Sequence, residues 1–526
     1  MHTLTLGLYV TRFDRKRLAK SFRAAWHIQT VCIKHAQALL NYLNNDKTYQ
    51  KYRKQYGILK QKIADAKAAH DMELVTQLTA EQKKIAESMN TFREAIGLTK
   101  AGLQSYLKVQ GKQMRKLVSS SQIQAIAANI WKGAEDVLFG NGQYLHIKKL
   151  VEFDTIPGKN PKNGVRYYDK DHVTDYPKSL KPKNKEEIEF LGLQLRCKID
   201  RADPYVSESL AYKIKYCSLK RMEFNGGYRY YVILTLDGAA PKKIANPKGL
   251  DMGIDPGVST MAAVTDESAN LMELAPKAGK YEKQIRDIQK KVERSERISN
   301  PDNFNDDGTR KKGKHKWIHS KRCRRNKRKL RVLFRKKTAY TDISHRTQIN
   351  KLLTECGGGI VICEKMNYQA LAKRSKQTEH QDKTSIIEDK KGIRKSIHKY
   401  KRKKRFGRSI LSRSPSKFLD ILSQKMAQYG GSLAWIDTIS FKASQYDHIA
   451  NHFEKVPLSQ RFRIVGKNSV QRDLYSAFLI LNASIDLKKP DRNKCLSTFD
   501  RFLDNQKTCI DMMKNQGLSM PWCFGF

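Results

Sequence analysis

The chain begins with an alternation of polar and apolar residues that predicts a β-strand. This alternation covers residues 3–10 and has the period of a strand with one buried face. Apolar residues then recur at helical spacing from Leu18, with Asp14 available to cap the helix. Charged helical sequence with a thin apolar seam follows from Lys47 to about Gly97, and a second helical stretch, opening at 119–124, runs to about Leu138. Residues 1–140 therefore predict one strand followed by a helical lobe.

Short strand patterns dominate the next segment, from about residue 141 to residue 245. Turn-forming sequence at 156–165 precedes strand patterns at 192–199, 212–216 and 228–236. We expect a small β-barrel or sheet here, to which the first strand of the chain can return.

A third pattern begins at residue 250 and alternates strands with helices. Strands are predicted around a tight turn at 250–264, then at 360–363 and 432–437. A long basic helical region is expected at about 278–355, and a basic loop is expected after Glu364. Alternating strands and helices are typical of an α/β layer. The fold class is thus multidomain α+β, with a helical lobe, a small β-barrel and an α/β domain.

Charge identifies the class of partner. The chain has 102 Lys and Arg against 52 Asp and Glu, which gives a formal charge of +50, while 39% of its residues are hydrophobic. A folded body with this charge repels itself unless it binds a polyanion, and nucleic acid is the expected one. No apolar run can span a bilayer, and no signal peptide is recognisable at the N-terminus. We expect a cytoplasmic protein without a membrane partner, most simply in a prokaryotic cytosol.

Cysteine usage argues against a structural zinc site. The nine cysteines are scattered, and no two form a Cys-x-x-Cys pair. We expect free thiols.

Three carboxylates stand next to predicted core segments. Asp255 follows an apolar strand and precedes Pro256, Glu364 ends a second apolar strand, and Asp473 begins an amphipathic helix. Such groups can converge at one edge of a sheet, where two Mg²⁺ ions held by carboxylates would support phosphodiester hydrolysis. Taken singly, each has a plainer interpretation: a turn residue, a solvated strand end, and a favourable helix N-terminus.

Two basic runs flank Glu364. Residues 310–337 contain sixteen Lys or Arg and residues 390–408 contain eleven, without an acidic residue in either run. Their position inside a folded domain favours phosphate binding over solvated tails. The candidate phosphate-binding residues are Arg322, Arg324, Arg325, Lys327, Arg328, Lys401, Arg402 and Arg405. Gln122, Gln124 and Asn129 are candidates for contacting base edges from their helix.

The motifs around the carboxylates resemble those of a known family. The sequence Gly-Ile-Asp-Pro-Gly-Val at 253–258 resembles the first RuvC motif, Ile-Val-Ile-Cys-Glu at 360–364 the second, and Arg-Asp-Leu-Tyr-Ser-Ala at 472–477 the third. In order and in roughly 80% of its length, the chain resembles the TnpB family of transposon-encoded RNA-guided nucleases and the compact type V CRISPR effectors descended from it.

This resemblance implies a domain division. It implies a first wedge strand at 1–12, a helical recognition lobe at 13–140, a wedge β-barrel at 141–248, an RNase H-like RuvC nuclease domain at 249–482 with a degenerate zinc-ribbon region at about 442–468, and a C-terminal helical extension at 483–526.

The resemblance also implies ligands and cofactors. Asp255, Glu364 and Asp473 would be catalytic and would hold two Mg²⁺ ions, with Mn²⁺ as a substitute in vitro, and a guide RNA would be bound. Many members carry a four-cysteine zinc ribbon before the third motif, whereas residues 447–454 here contain no cysteine. His448 and His452 have the i, i+4 spacing of a ligand pair, but we expect them to be solvated helix residues. No zinc is expected.

The leading hypothesis is an RNA-guided DNA endonuclease. It would pair its guide with target DNA in an R-loop, next to a short flanking motif, and would cut at a single RuvC site. A guide-dependent DNA-binding repressor and a guide-free structure-specific nuclease or transposase are the alternatives. The sequence leaves open the guide's origin, the flanking motif and the oligomeric state.

Overall fold

The computed structural model describes residues 1–159, 164–168, 186–224, 227–306, 308–372, 379–388, 394–401, 406–457, 459–515, 521 and 524–526. The chain mixes helices and strands and divides into two compact units, Met1–Pro241 and Lys242–Phe526. Among the helices within these ranges, none is long and apolar enough to cross a membrane.

The first unit combines a set of helices with one sheet. Its helices are α1 (Arg12–Asn45), α2 (Lys47–Ala68), α3 (Met72–Ala95), α4 (Lys100–Gln110), α5 (Ser120–Leu138) and α6 (Pro204–Leu210), with a 3-10 turn at Lys112–Met114. Its strands are β1 (His2–Leu8), β2 (Thr155–Ile156), β3 (Val165–Tyr168), β4 (Glu187–Phe190), β5 (Leu193–Lys198), β6 (Ile214–Phe224) and β7 (Gly227–Leu236).

The predicted return of the first strand to the later ones is confirmed. The seven strands form one sheet in the order β2-β6-β7-β1-β5-β4-β3. β1 runs antiparallel to both β7 and β5, and its alternate residues Leu4, Leu6 and Leu8 are buried. They join a core shared with α1, in which Leu18 and Phe22 are fully buried.

Asp14 caps α1 in a reciprocal arrangement. Thr11 is the N-cap, and its hydroxyl accepts a hydrogen bond from the Asp14 amide at 3.2 Å. The Asp14 carboxylate accepts one from the Thr11 amide at 2.9 Å. Two amides at the start of the helix are thereby satisfied.

The second unit is built around a mixed sheet. Its strands are β8 (Met252–Pro256), β9 (Thr260–Val264), β10 (Ala269–Glu273), β11 (Ile360–Glu364), β12 (Glu379–Glu388), β13 (Arg394–Lys401), β14 (Ser432–Ile436), β15 (Tyr446–Asp447), β16 (His452–Phe453), β17 (Phe462–Val465) and β18 (Asn468–Gln471). Its helices are α7 (Ala278–Ser299), α8 (Lys321–Cys356), α9 (Tyr368–Ala372), α10 (Gly407–Arg413), α11 (Pro415–Gln428), α12 (Thr438–Phe441), α13 (Arg472–Leu481) and α14 (Arg492–Asn515), with a 3-10 turn at Pro301–Asn303.

Five of these strands form the central sheet, in the order β10-β9-β8-β11-β14. β9 pairs antiparallel with both β10 and β8, whereas β11 pairs parallel with both β8 and β14. Both faces of the sheet are covered. Ala262 and Val264 join a core with α13 and α14, and Met261 and Ala263 join a second core with α8 and α11.

The helical region expected at about 278–355 is divided into two helices. α7 ends at Ser299, and α8 begins only at Lys321. Two residues after the end of α7, Pro301 has no amide hydrogen with which to continue the helical hydrogen bonds. The Asn300 side chain holds the intervening segment, because it accepts from the Ile318 amide at 2.6 Å and donates to the Ile318 carbonyl at 2.9 Å.

The basic segment after Glu364 is not a simple loop as expected. It contains the antiparallel hairpin of β12 and β13. The C-terminal segment, expected to be a helical extension, contains α14.

Candidate active site

Two of the predicted carboxylates lie at the ends of neighbouring parallel strands. In the pairing of β8 with β11, Ile254 stands opposite Cys363. Asp255 and Glu364 are the next residue of each strand, and the carboxyl ends of parallel strands meet at one edge of a sheet. Each of these two residues is half-buried. The strands therefore bring two carboxylates together at an edge that solvent reaches.

The third carboxylate reaches the same edge through a close helix–strand contact. Helix α13 passes directly over Gly253, where a Cβ would collide with the Ala477 carbonyl oxygen and the Leu481 amide. Asp473 lies four residues before Ala477, about one helical turn away. Because Asp473 is at the helix N-terminus and Gly253 lies two residues before Asp255, the helix delivers Asp473 towards the carboxyl end of β8.

Electrostatics agree with this convergence. Burial raises the pKa of Asp255 well above its ordinary value, and the nearby Glu364 and Asp473 carboxylates raise it further. Burial also raises the pKa of Glu364 and that of Asp473. Like charges in a small, partly desolvated site disfavour ionisation unless a cation neutralises them.

Two arginines that sequence reasoning left without a role lie in the field of this cluster. The guanidinium groups of Arg461 and Arg472 lower the pKa of Asp473, against the larger effect of burial, and Arg472 also lowers that of Asp255. Nε and one terminal nitrogen of Arg472 are buried without a hydrogen-bond partner among the described residues. The position of Arg472 immediately before Asp473 was the only sequence signal for it.

The donor set fits a hard divalent cation. Three carboxylates from separate elements supply only oxygen ligands, the type that Mg²⁺ and Mn²⁺ prefer. Burial raises the pKa of all three, and in Asp255 the two neighbouring carboxylates raise it further, so a bound cation would favour their ionised forms. Asp255, Glu364 and Asp473 could therefore hold such ions between them.

The histidine pair in the degenerate zinc-ribbon region is not on a helix, so that part of the expectation is wrong; His452 is exposed as expected, whereas His448 is buried. A turn after β15 carries His448, and β16 carries His452. His448 is fully buried, and its Nδ1 lies 2.7 Å from the Tyr475 hydroxyl. Burial lowers the pKa of His448 to about 4. Asn451, with φ of 52°, bends the chain between the two histidines, which breaks the helical geometry that their spacing suggested.

Not all of the candidate phosphate-binding residues on α8 are free. Lys327 Nζ lies 2.6 Å from a carboxylate oxygen of the buried Glu296, and Arg324 Nε donates to the His319 carbonyl at 3.0 Å. Arg322, Arg325 and Arg328 are exposed. Lys327 therefore has an internal electrostatic role, and the others remain predictions.

Glu296, His319 and Cys323 form a group whose ligand atoms lie within 4.8 Å of one another. The Glu296 carboxylate is already held by Lys327 at 2.6 Å and by Arg310 at 2.6 Å. Two cations at this distance oppose a metal ion, so the group is better described as an ion-pair centre between α7 and α8. Eight cysteines of the described residues are free and buried, as expected.

The three candidates for base contacts on α5 differ in availability. Gln122 is fully buried and forms a capping box with Ser119, so its amide is not available to a base, and that prediction is wrong. Gln124 is exposed, and its Oε1 accepts from Lys159 Nζ at 2.5 Å. Asn129 is exposed. Gln124 and Asn129 remain predictions.

Of the three candidates in the second basic run, only Lys401 lies within the described residues. Lys401 ends strand β13, and Arg402 and Arg405 lie outside the described residues. Their assignment to phosphate binding stays a prediction.

Comparison with known proteins gives weak similarities. No protein-family model and no curated protein matches the chain. Among solved structures, it is similar to a Cas12f1–sgRNA–target DNA complex, with 12% identity, 91% of this chain and 98% of that chain covered, and a TM-score of 0.43. A CRISPR-Cas12f ternary complex has 13% identity over 92% of this chain and 99% of that chain, with a TM-score of 0.23. A Cas12i1 R-loop complex after target DNA cleavage has 10% identity over 95% and 66%, also with a TM-score of 0.23.

Proposed function

We propose that this chain is an RNA-guided DNA endonuclease that cuts at one carboxylate site. The convergence of Asp255, Glu364 and Asp473 at one sheet edge carries the proposal. Structural carboxylates are usually paired with cations or solvated, whereas these three are partly desolvated and share one small region. Holding buried carboxylates close together costs stability, and carboxylates with perturbed pKa values are characteristic of functional sites.

The three residues would act together in phosphodiester hydrolysis. Asp255, Glu364 and Asp473 would hold two Mg²⁺ ions, which supply an activated water and charge stabilisation at the leaving oxygen. Asp255 and Glu364 are fixed by paired strands, and Asp473 is fixed by the capped start of α13. The Gln471 side chain caps that helix by accepting from the Leu474 backbone amide at 2.7 Å. The backbone amide of Gln471 in turn donates to Gln506 Oε1 at 2.7 Å. This scaffold keeps the ligand positions rigid.

The strand order of the second unit supports an RNase H-like domain of the RuvC type. An antiparallel meander of three strands is extended by two parallel strands, and the carboxylates come from β8, β11 and helix α13. The sequence resemblance to the TnpB family predicted these same positions.

Charge supports a large nucleic-acid ligand. A formal charge of +50 exceeds what a catalytic site alone requires, and the exposed arginines of α8 add to it. Phosphate contacts of this kind position a nucleic acid without reading its sequence. A guide RNA paired with the target DNA would supply the sequence specificity, next to a short flanking motif.

The test is to purify the protein from its native locus and sequence the RNA that accompanies it. We expect one dominant structured RNA with a variable end, and Mg²⁺-dependent cutting of a duplex that matches this end. Cutting without RNA would favour the guide-free nuclease. Matched binding without cutting would favour the repressor.

A further inference from the structure

We propose that a cavity in the first unit binds an unpaired nucleotide of a single strand, with its base stacked on Tyr9 and its phosphate held by Arg15, Lys198 and Arg229. The proposal deepens the proposed function, since it rests on the chain being a nucleic-acid-binding protein. It concerns a site apart from the carboxylates. The cavity is called the tyrosine pocket below, and its defining residues are Tyr9, Arg15, Lys198, Tyr228, Arg229 and Tyr231.

The size of the tyrosine pocket suits a nucleotide. Its volume is about 420 Å³, within the roughly 300–1,000 Å³ of typical ligand clefts. Its walls come from the end of β1 with the two residues after it, the start of α1, the end of β5 and the first half of β7. All four belong to one unit, so the pocket needs no second domain for its formation.

Tyr9 presents an exposed ring on a fixed backbone. Its side chain is 56% exposed, while its backbone amide donates to the Arg196 carbonyl at 2.9 Å, which ties it to the end of β5. No other aromatic ring of the described residues packs against it. An exposed ring on an anchored backbone loses little entropy when a base stacks on it.

Lys198 is held beside that ring by the strand pairing. Gly7 stands opposite Lys198 in the register of β1 and β5, and a Cβ at Gly7 would come within 3.3 Å of the Lys198 side chain. Because Gly7 has no side chain, the lysine can lie across β1, and its Nζ is 4.6 Å from the centroid of the Tyr9 ring. The ring and a cation are therefore presented together.

The cations of the tyrosine pocket lack acidic partners. Arg15, Lys198 and Arg229 are exposed, and among the described residues none of them forms a salt bridge. The Arg229 guanidinium lies 3.8 Å from the centroid of the Phe224 ring. A phosphate entering the pocket would gain charge-assisted hydrogen bonds without breaking an existing ion pair.

A buried arginine on the neighbouring strand shows how the fold treats a structural cation. Arg221 donates to the Leu150 carbonyl at 2.7 Å and to the Phe153 carbonyl at 3.0 Å, and its guanidinium stacks on Phe22. Among the described residues, Arg15, Lys198 and Arg229 donate no such hydrogen bonds to backbone carbonyls. Exposed cations beside an exposed aromatic ring are the combination that binds single strands with little sequence preference.

The experiment measures the affinity of the full chain, freed of nucleic acid by high salt, for labelled oligonucleotides of about a dozen residues by fluorescence anisotropy. The probes are oligouridine, oligothymidine and a blunt DNA duplex. The variants are Tyr9→Ala, Tyr9→Phe and Lys198→Gln, and the matched control is Tyr144→Ala, because Tyr144 is 69% exposed in the same unit but does not line the pocket.

We expect Tyr9→Ala to weaken single-strand binding roughly 5- to 150-fold, the range of one base stacked on an aromatic ring. Tyr9→Phe should keep wild-type affinity, because stacking needs no hydroxyl. Lys198→Gln should weaken binding and reduce its salt dependence. A loss for both single strands would show that the pocket accepts either source, and a loss for one alone would identify RNA or DNA as the ligand.

Three outcomes would overturn the proposal: wild-type affinity of Tyr9→Ala for both single strands, an equal loss in Tyr144→Ala, or an equal loss for the duplex. The result is independent of cleavage. If wild type cuts no guided target but Tyr9→Ala still loses single-strand affinity, the proposed function fails and the pocket stands. If guided cutting is intact and Tyr9→Ala binds normally, only the pocket fails.

Discussion

The contact between α13 and β8 yields the sharpest structural prediction, for the substitution Gly253→Ala. The added Cβ would meet the Ala477 carbonyl oxygen and the Leu481 backbone, which are main-chain atoms of a buried helix. A flexible side chain could turn aside, whereas a helix must shift as a body. Relief of the clash therefore requires α13 to move away from the sheet.

The magnitude follows from overpacking of a close-packed interior, which costs about 1–3 kcal/mol and occasionally more. That energy corresponds to roughly a 5- to 150-fold increase in the opening equilibrium of the segment. Because Asp473 lies in the first turn of α13, we also expect Gly253→Ala to lower the cleavage rate without removing a carboxylate.

Hydrogen exchange followed by mass spectrometry measures this opening locally. Peptides from α13 should lose protection in Gly253→Ala, while peptides from α1 in the other unit should not change. The matched control is Gly279→Ala in the same unit, because a Cβ at Gly279 meets no atom within 4 Å. Protection of α13 in Gly253→Ala equal to that in wild type and in Gly279→Ala would refute the reasoning.

Three further predictions concern particular buried charged or titratable groups. Glu296→Gln should cost about 1–3 kcal/mol of unfolding free energy by urea denaturation, because it leaves Lys327 and Arg310 without their buried carboxylate; Glu293→Gln, which removes an exposed pair, should cost less than about 1 kcal/mol. The depressed pKa of buried His448, about 4 against an ordinary 6.5, means that the unfolded chain gains a proton first; wild type should lose up to about 3 kcal/mol as pH falls from 6.5 to 4, and His448→Gln should flatten this part of the Tm profile. The raised pKa of Asp255 has the opposite effect on stability: the folded state holds this proton more tightly than the unfolded chain does, so stability falls as pH rises above 3.8. In EDTA at neutral pH, Asp255→Asn should therefore have a higher Tm than wild type, and the difference should vanish towards pH 3.8.

The positions of Asp255 and Glu364 at strand ends were predictable because the apolar run before each of them is visible in the local sequence. Asp255 and Glu364 each follow an apolar strand, and the parallel pairing of such strands brings their ends to one edge. The glycine at 253 was part of the quoted motif, but its close approach to α13 depends on tertiary packing that no local pattern contains. Arg461 and Arg472 were missed for a related reason, since an arginine before a strand or at a helix start looks solvated until its tertiary neighbours are known.

The errors have identifiable causes. An i, i+4 spacing suggested a helix for His448 and His452, but the left-handed backbone at Asn451 makes a hairpin there. The Ser119–Gln122 capping box and the Asn300–Pro301 break were both visible in the sequence. A residue whose side chain caps a helix, as that of Gln122 does, cannot also contact a base, and Pro301 divides the helical region at 278–355.

The most direct test of the central claim is the rate of guided cleavage in single carboxylate variants. With the co-purified RNA, a matched duplex and Mg²⁺, we expect Asp255→Asn, Glu364→Gln and Asp473→Asn each to lose more than the roughly 10- to 100-fold that an outer-shell partner of a metal site costs. Asp511→Asn, an exposed acid on α14, should cut at the wild-type rate. Wild-type cutting by any one of the three variants would contradict the assignment of these carboxylates as the cutting site.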